Sequence, residues 1–268
     1  MSGGRTGDRR AAGLVYPRFD AQAWRVWERN LVAWLKVYKT SVLMNFGEPL
    51  MNLLALGFGL GTYVTKLQNF SFAEFIAPGL LASTAMMGVS YDMAFSGYSK
   101  LTRGVYDSMV TGPLEVPSIA GGELLWEVTR SIIYGCTFLV VIAAMGLVRS
   151  PLALLIPALM VVLGMVFAPP ALLVAAAAKL EDQLFYYFEL VITPMFMFSG
   201  IFFPVERLPS AARAAVWFSP LYHAANIARA LTLGEVGRSV WADLLWLVVA
   251  TLILLPWPVR LLQRRLIG

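Results

Sequence analysis

Residues 184–223 read LFYYFELVITPMFMFSGIFFPVERLPSAARAAVWFSPLYH. The stretch opens as an apolar run long enough to cross a bilayer. It breaks at Ser199-Gly200 and again at Pro204, then resumes over 210–218 until Ser219-Pro220 stops it. A helix over 210–218 is roughly 13 Å long, under half of a hydrocarbon core of about 30 Å. Ile201, Phe202, Phe203, Trp217 and Phe218 around it are too apolar for free solvent. A spanning helix followed by a half-length one is expected to dip into the outer membrane face and return. Protein or a water-filled cavity must then shelter its backbone ends. A surface loop is the alternative.

Working outward, the whole chain has the composition that such a segment requires. Of 268 residues, 59% are apolar and 14% charged, with a mean hydropathy of +0.70. This is an all-α polytopic membrane protein. Windows of about 20 residues with few charges place six transmembrane helices near 42–64, 74–97, 118–147, 152–178, 184–203 and 239–260. Upstream, residues 1–19 read as a flexible cytoplasmic arm. Over 20–39, Trp24, Trp27, Leu31, Trp34, Leu35 and Tyr38 form one helical stripe, with Arg25, Arg29 and Lys36 on the far side. That pattern predicts an amphipathic helix lying in the membrane interface. Residues 40–268 form the six-span domain. No signal-peptide core follows MSGGRTGDRR, so the first span is expected to direct insertion.

Lysine and arginine set the orientation. The arm, the interfacial helix, the 98–117 connection, the turn after span four and the C-terminal end carry fourteen of them; the opposite face carries six. Both termini are therefore expected in the cytoplasm. The net charge of +5 is a topology signal and not a nucleic-acid footprint. One cysteine and one histidine exclude a disulfide and a multi-His metal centre within the chain. There is no HExxH helix, no GxSxG elbow and no GxxxxGK[ST] phosphate loop. No cofactor or metal is expected on this chain, and no catalytic residue.

Three groups of residues are candidates for function. In YSKLTRGVYDSMVTGPLEVP (98–117), Leu101, Val105 and Met109 recur at steps of four, with Lys100, Arg103 and Asp107 elsewhere around the helix. Such a helix either lies on lipid headgroups or docks into a groove on a cytoplasmic partner. Glu123, Glu127 and Arg130, spaced by four and three, share one face of span three. They form either a satisfied structural pair, most simply Glu127 with Arg130, or a polar stripe facing a substrate route or a partner. Glu48 and Asp92 lie near cytoplasmic ends, where they reach water. His223 is expected to be structural, capping or bonding a neighbouring carbonyl.

The pattern resembles the membrane subunit of type-2 ABC exporters, in the branch of nodulation protein J, the lipooligosaccharide transporters. The resemblance is carried by Asn45-Phe46-Gly47-Glu48-Pro49, the Leu-Gly-Phe-Gly-Leu-Gly run at 56–61 and Phe75-Ile76-Ala77-Pro78-Gly79-Leu80. It continues in Arg103-Gly104-Val105-Tyr106-Asp107-Ser108-Met109, Phe198-Ser199-Gly200-Ile201-Phe202-Phe203-Pro204 and Ser219-Pro220-Leu221-Tyr222-His223. It implies a homodimer in the bacterial inner membrane with two copies of a separate ATP-binding subunit, which holds the ATP and magnesium. It implies that about 100–111 is the coupling helix, with Lys100, Leu101, Arg103, Val105, Tyr106, Asp107 and Met109 meeting the ATPase. The outer dip corresponds to that family's external re-entrant helices. The implied substrate is an amphiphile such as a lipo-oligosaccharide, for which Tyr91, Phe95, Trp126, Tyr134, Phe196 and Phe198 would line a route suited to sugar rings and acyl chains. Aromatics of this kind also face lipid or pack between helices. A drug or polysaccharide exporter, an ion-coupled carrier using Glu123, Glu127 and Arg130, and an enzyme on lipid-linked substrates are the alternatives.

Overall fold

The structure, a computed structural model, describes residues 15–59, 61, 63 and 70–267. Residues 1–14 of the expected arm and 60, 62 and 64 at the outer end of the first span lie outside it. The chain folds as α1 (Ala21–Leu35), α2 (Tyr38–Asn52), α3 (Phe72–Thr102), α4 (Val105–Val110), α5 (Val116–Ala144), α6 (Ile156–Ala177), α7 (Asp182–Tyr187), α8 (Thr193–Phe198), α9 (Ser210–Trp217), α10 (Pro220–Leu233), α11 (Arg238–Leu254) and α12 (Pro256–Leu266). Among the described residues, four helical stretches are long and apolar enough to cross a membrane: Phe72–Thr102, Val116–Ala144, Pro151–Ala177 and Arg238–Leu266. The first and fifth expected spans are interrupted runs. A wide π-helical segment, Leu53–Gly59, continues α2, and another, Phe188–Ile192, joins α7 to α8.

The central element is α3, which packs on α5, α6 and α10. Apolar around most of its circumference, it is buried along most of its length. Two of its polar side chains are satisfied within the helix: Ser83 Oγ donates to the Leu80 carbonyl (2.8 Å) and Thr84 Oγ1 to the Leu81 carbonyl (2.7 Å). Its N-terminal end begins with a capping box, in which Ser71 and Glu74 bond each other's backbone N–H. Glu74 then receives a bidentate pair from Arg149, at 2.7 and 2.8 Å. The α5–α6 contact is close because Gly164 faces the Val128 backbone; a Cβ there would sit 2.7 Å from Val128 Cα.

The second central packing helix is α10. Leu221, Ala224, Ala225, Ile227 and Ala228 are buried, mainly against α3. His223 joins it to its neighbours, as a structural histidine was expected to. Nε2 lies 2.8 Å from the Trp217 carbonyl, and Nδ1 2.6 Å from Asp243 of α11. A carbonyl only accepts, so Nε2 carries a hydrogen, and the contact with Asp243 holds a further proton. The imidazole stacks on Trp246 at 4.4 Å.

At the N-terminal end of α5, the arm is docked from Val15 onward, earlier than the boundary at residue 19. The Arg18 N–H bonds the Pro117 carbonyl (2.9 Å), and the Arg18 guanidinium pairs with Glu115 (2.6 Å). Gly121 permits this crossing, because a methyl group there would land on the Arg18 carbonyl. Asp20 caps α1 through the N–H groups of Gln22 and Ala23 and accepts the Ser118 hydroxyl of α5. The face of α1 turned to α5 is Ala23, Val26 and Asn30; Trp27, Leu31 and Trp34 are half-buried beside it, and Trp24, Leu35 and Tyr38 are exposed.

Hydrogen bonds, first that from Ala23, hold the Asp20 carboxyl below the usual range, against a small desolvation effect. A lowered folded-state value contributes stability above about pH 4, and the contribution disappears as pH falls through that lowered value. Asp20→Ala should therefore cost about 0.5–1 kcal/mol near neutrality, the low part of the N-cap range because the carboxylate is solvent-screened. In thermal unfolding of the detergent-solubilised chain, the deficit should shrink as pH drops below about 4. A pH-independent deficit would contradict the cap.

Candidate functional site

The segment between α3 and α5 is not one helix over 100–111. α3 runs on to Thr102, so Lys100 and Leu101 close its last turn. Arg103 ends it, and Gly104 adopts a left-handed conformation (φ 68°) that redirects the chain into the six-residue α4. The expected apolar stripe is also rotated. Leu101 is buried and Met109 packs beside it, but the residue driven fully inward is Tyr106, among Val26, Leu101, Val116, Ile119, Ala176 and Leu262. Val105 is only half-buried. Arg103, Asp107 and Ser108 are exposed on the other side.

Beneath α4 lies a buried polar network. Lys100 Nζ is 2.6 Å from Glu123 Oε2, which also accepts from Asn30 Nδ2 at 3.0 Å. Asn30 Oδ1 accepts from Lys100 (3.2 Å) and from Arg29 (3.1 Å). The network therefore joins α1, α3 and α5. Glu123 Oε1, the Tyr106 hydroxyl and Glu127 Oε2 are buried without a hydrogen-bond partner. Burial, with the Glu123 carboxylate second, pushes the Tyr106 phenol well above its ordinary range, so it stays neutral at physiological pH.

The polar stripe on α5 thus splits. Glu123 belongs to the network beneath α4. Arg130, two turns further along, contacts Asp92 of α3 directly and donates to the Tyr134 hydroxyl at 2.7 and 3.1 Å. Its nearest approach to Glu127 is 3.9 Å, so the simplest expected pairing is the weaker one. Asp92 is not a solvated end residue but the main counter-charge of Arg130.

Arg130 and Asp92 face a cavity of about 550 Å³ between α2, α3, α5 and the 182–198 run. Its lining combines aromatic and apolar groups, Tyr91, Phe188, Phe196 and Met87, with polar ones, Thr40, Ser41, Glu48, Asn52 and Ser83. Of the six aromatics proposed from sequence, Tyr91 and Phe196 line it. Phe95 stacks behind Tyr91 at 4.5 Å, and Tyr134 sits behind Arg130. Trp126 is buried against Trp34 of α1, 5.9 Å away, and Phe198 lines a separate apolar groove with α9 near the outer end. The sequence reading missed Asn30, Phe188, Asn52 and the role of Glu48. Asn30 carried a signal: it lies at helical spacing from Ala23 and Val26, and three and four residues from Trp27 and Trp34, on the face of α1 that meets α5.

This arrangement separates two tasks. The α4 side offers an exposed polar edge backed by a buried ionic anchor. The interior offers an amphiphilic cavity in which Arg130 is paired with Asp92 and Glu48 adds a further carboxylate. Removing one member of the anchor leaves the other charge buried and uncompensated, at a cost of about 3–5 kcal/mol. Lys100→Met should therefore destabilise the chain strongly in thermal unfolding. Lys100→Met with Glu123→Leu should recover most of the loss; additive losses in that cycle would deny the coupling.

With this geometry in place, comparison with known proteins is informative. The profile of the ABC-2 type transporter family matches residues 21–233. Nodulation protein J of Sinorhizobium fredii (strain NBRC 101917 / NGR234) is 31% identical over 244 residues, 91% of this chain and 93% of that protein. Nodulation protein J of Rhizobium leguminosarum bv. trifolii is 31% identical over 247 residues, 90% of this chain and 93% of its own length. A more distant relative is the probable multidrug ABC transporter permease YbhR of Escherichia coli (strain K12), 23% identical over 183 residues, 66% of this chain and 49% of that protein.

Proposed function

The chain belongs to the ABC-2 type transporter family and is a membrane permease subunit, and we propose that it exports a lipo-oligosaccharide across the bacterial inner membrane. The observation that carries this reading is the near end-to-end match to nodulation protein J, in a chain whose interior cavity is lined by both aromatic and polar side chains. Sugar rings stack on aromatic faces and bond carboxylates and amides, while acyl chains take apolar surface. Arg130 is paired with Asp92 and Glu48 adds a further carboxylate to the lining, so the cavity favours a neutral polar head over a bare anion.

A transport subunit without a nucleotide site needs an ABC ATPase as a separate chain. We place that partner, with its ATP and magnesium, against the exposed edge of α4, at Arg103 and Asp107. Tyr106, Leu101 and Met109 hold α4 to the membrane domain, and Lys100 anchors its base through Glu123. Two permease copies and two ATPases form the assembly in this reading. The second copy closes the side between α2 and the 182–198 run, where Leu43, Met51, Leu54, Leu190 and Met197 are exposed. Both termini face the cytoplasm, and α9 with α10 forms the external re-entrant hairpin. Nucleotide binding gives direction by favouring one of two states, since substrate binding alone does not.

Co-purification tests the assembly. Expressed from its own operon and extracted mildly, the chain should bring down a stoichiometric ATPase. Arg103→Ala with Asp107→Ala should weaken that attachment while leaving thermal stability within about 0.5 kcal/mol, because both residues are exposed. Tyr106→Phe should be neutral, since the hydroxyl removed has no partner, whereas Tyr106→Ala should cost about 3–5 kcal/mol. A chain that runs alone, with transport following an ion gradient and ignoring ATP, would overturn the reading in favour of an ion-coupled carrier.

The route has a separate test. Tyr91→Ala with Phe196→Ala should lower export at unchanged membrane levels and unchanged ATPase attachment, and Trp126→Phe should not. Equal export by the double variant would remove the cavity from the route.

A further inference from the structure

On the outer side a second cavity, of about 400 Å³, opens between α10, the start of α11 and the turn after α8. It shares no lining residue with the cavity at Asp92. α10 turns Tyr222, Asn226 and Arg229 toward it, at steps of four and three. Its depth follows from two other lining residues. Phe75 lies in the first turn of α3 and Asp243 in the second turn of α11. At 1.5 Å per residue both sit within roughly 9 Å of the outer ends of their helices, the level of lipid headgroups. Trp241, one turn along α11, is 70% exposed, as interfacial tryptophans are.

The charges in this cavity are unusual. The Arg229 guanidinium lies 4.1 Å over the Phe75 ring and bonds only main-chain carbonyls, Gly200 at 3.0 Å and Phe75 at 3.4 Å. Among the described residues, no carboxylate lies within ion-pairing distance of it. Glu206 acts on it through space without a salt bridge, and a cation whose hydrogen bonds go to neutral acceptors stays open to an anion. Beside it, the Asn226 amide supplies further donors. Asp243 is already occupied by His223. Glu206 and Glu235 are exposed at the rim, and among the described residues neither pairs with a cation.

One recessed cation with two carboxylates a short distance outward complements a phosphate joined to an ammonium. We propose that this cavity binds the phosphoethanolamine headgroup of an outer-leaflet lipid, with the phosphate on Arg229 and Asn226 and the ammonium on Glu206 and Glu235. A headgroup lacking the ammonium meets the repulsion of the rim carboxylates. A trimethylated one has no N–H to donate to them.

The test reconstitutes the full chain in nanodiscs of equal parts phosphatidylethanolamine, phosphatidylcholine and phosphatidylglycerol, and counts lipids retained on the protein by native mass spectrometry. Wild type should retain phosphatidylethanolamine severalfold over the other two. Arg229→Gln should lower that retention about tenfold, the weight of one charged hydrogen bond. Because Arg229 is partly buried, a second variant keeps the fold intact: Glu206→Gln with Glu235→Gln, both exposed, should abolish the preference among the three lipids. Equal retention of all three by wild type, or an unchanged preference in the double variant, would overturn the proposal. Soluble O-phosphoethanolamine distinguishes the source. If it binds the delipidated chain as tightly as the lipid does, the site serves a free amino phosphate and the lipid assignment fails.

Discussion

Two ion pairs pin α3 to α5, and the interior arrangement follows from them. Lys100 meets Glu123 near the C-terminal end of α3, and Asp92 meets Arg130 two turns away. The helices run antiparallel, and the two pairs keep one register: eight residues up α3 correspond to seven along α5. Such charges are expensive in a membrane unless each finds its opposite. Their pairing fixes how far α3 and α5 can slide and how they are rotated. Gly164 against Val128 then sets how closely α6 approaches the pair, and the capping box with Arg149 ties the outer end of α3 to the α5–α6 connection.

The same constraint explains where polarity surfaces. Near α4, Asn30 and Arg29 complete the Lys100–Glu123 network, so α1 joins the pinned pair. Two turns further along α5, Arg130 is paired with Asp92 beside a cavity that also holds Glu48 and many donors and acceptors. At the opposite end of the bundle, Arg229 has no salt-bridge partner among the described residues, and its charge is held by carbonyls and an aromatic face. Three heights in one molecule thus treat a buried cation in three ways. Each treatment suits a different neighbour: protein, an uncharged polar group, or an anion.

Much of the fold was legible in the sequence because it rests on length and composition. The four long spans were placed within a few residues, since a helix that is apolar over about 20 residues matches the thickness of a bilayer core. The half-length helix at 210–217 was readable from its flanking Pro and Gly residues. His223 was rightly taken as structural, though Asp243, its partner twenty residues on, has no local signal. The candidate sites were less legible, for a definable reason. Periodicity assumes one helix axis, and Gly104 at φ 68° swings α4 off the axis of α3. The stripe Leu101-Val105-Met109 therefore dissolves, and Tyr106 takes the buried position. Likewise Asp92 and Arg130 lie on different helices, so sequence spacing brought Arg130 to Glu127, the neighbour it touches least. Pairings across helices depend on packing, which no single-helix pattern encodes.

A pinned α3–α5 pair also limits where motion can occur. If these helices cannot shear, a conformational change must be carried by the elements that wall the cavity without being tied by charge: α2 and the 182–198 run. Both contain a π-helical segment, Leu53–Gly59 and Phe188–Ile192. A π turn misaligns the backbone ladder by one residue and gives a helix a place to bend at modest cost. Both elements also leave large apolar side chains uncovered, among them Leu43, Met51, Tyr186 and Leu190. The interior therefore divides into a rigid half, to which Tyr106 and Lys100 tie α4, and a compliant half, which borders the cavity opposite it. A displacement of α4 would move α3 and α5 as a unit against the two π-bearing runs. The cavity between them would change shape without breaking either ion pair. That is the economical way for a membrane protein to move, because no buried charge is stripped of its partner on the way.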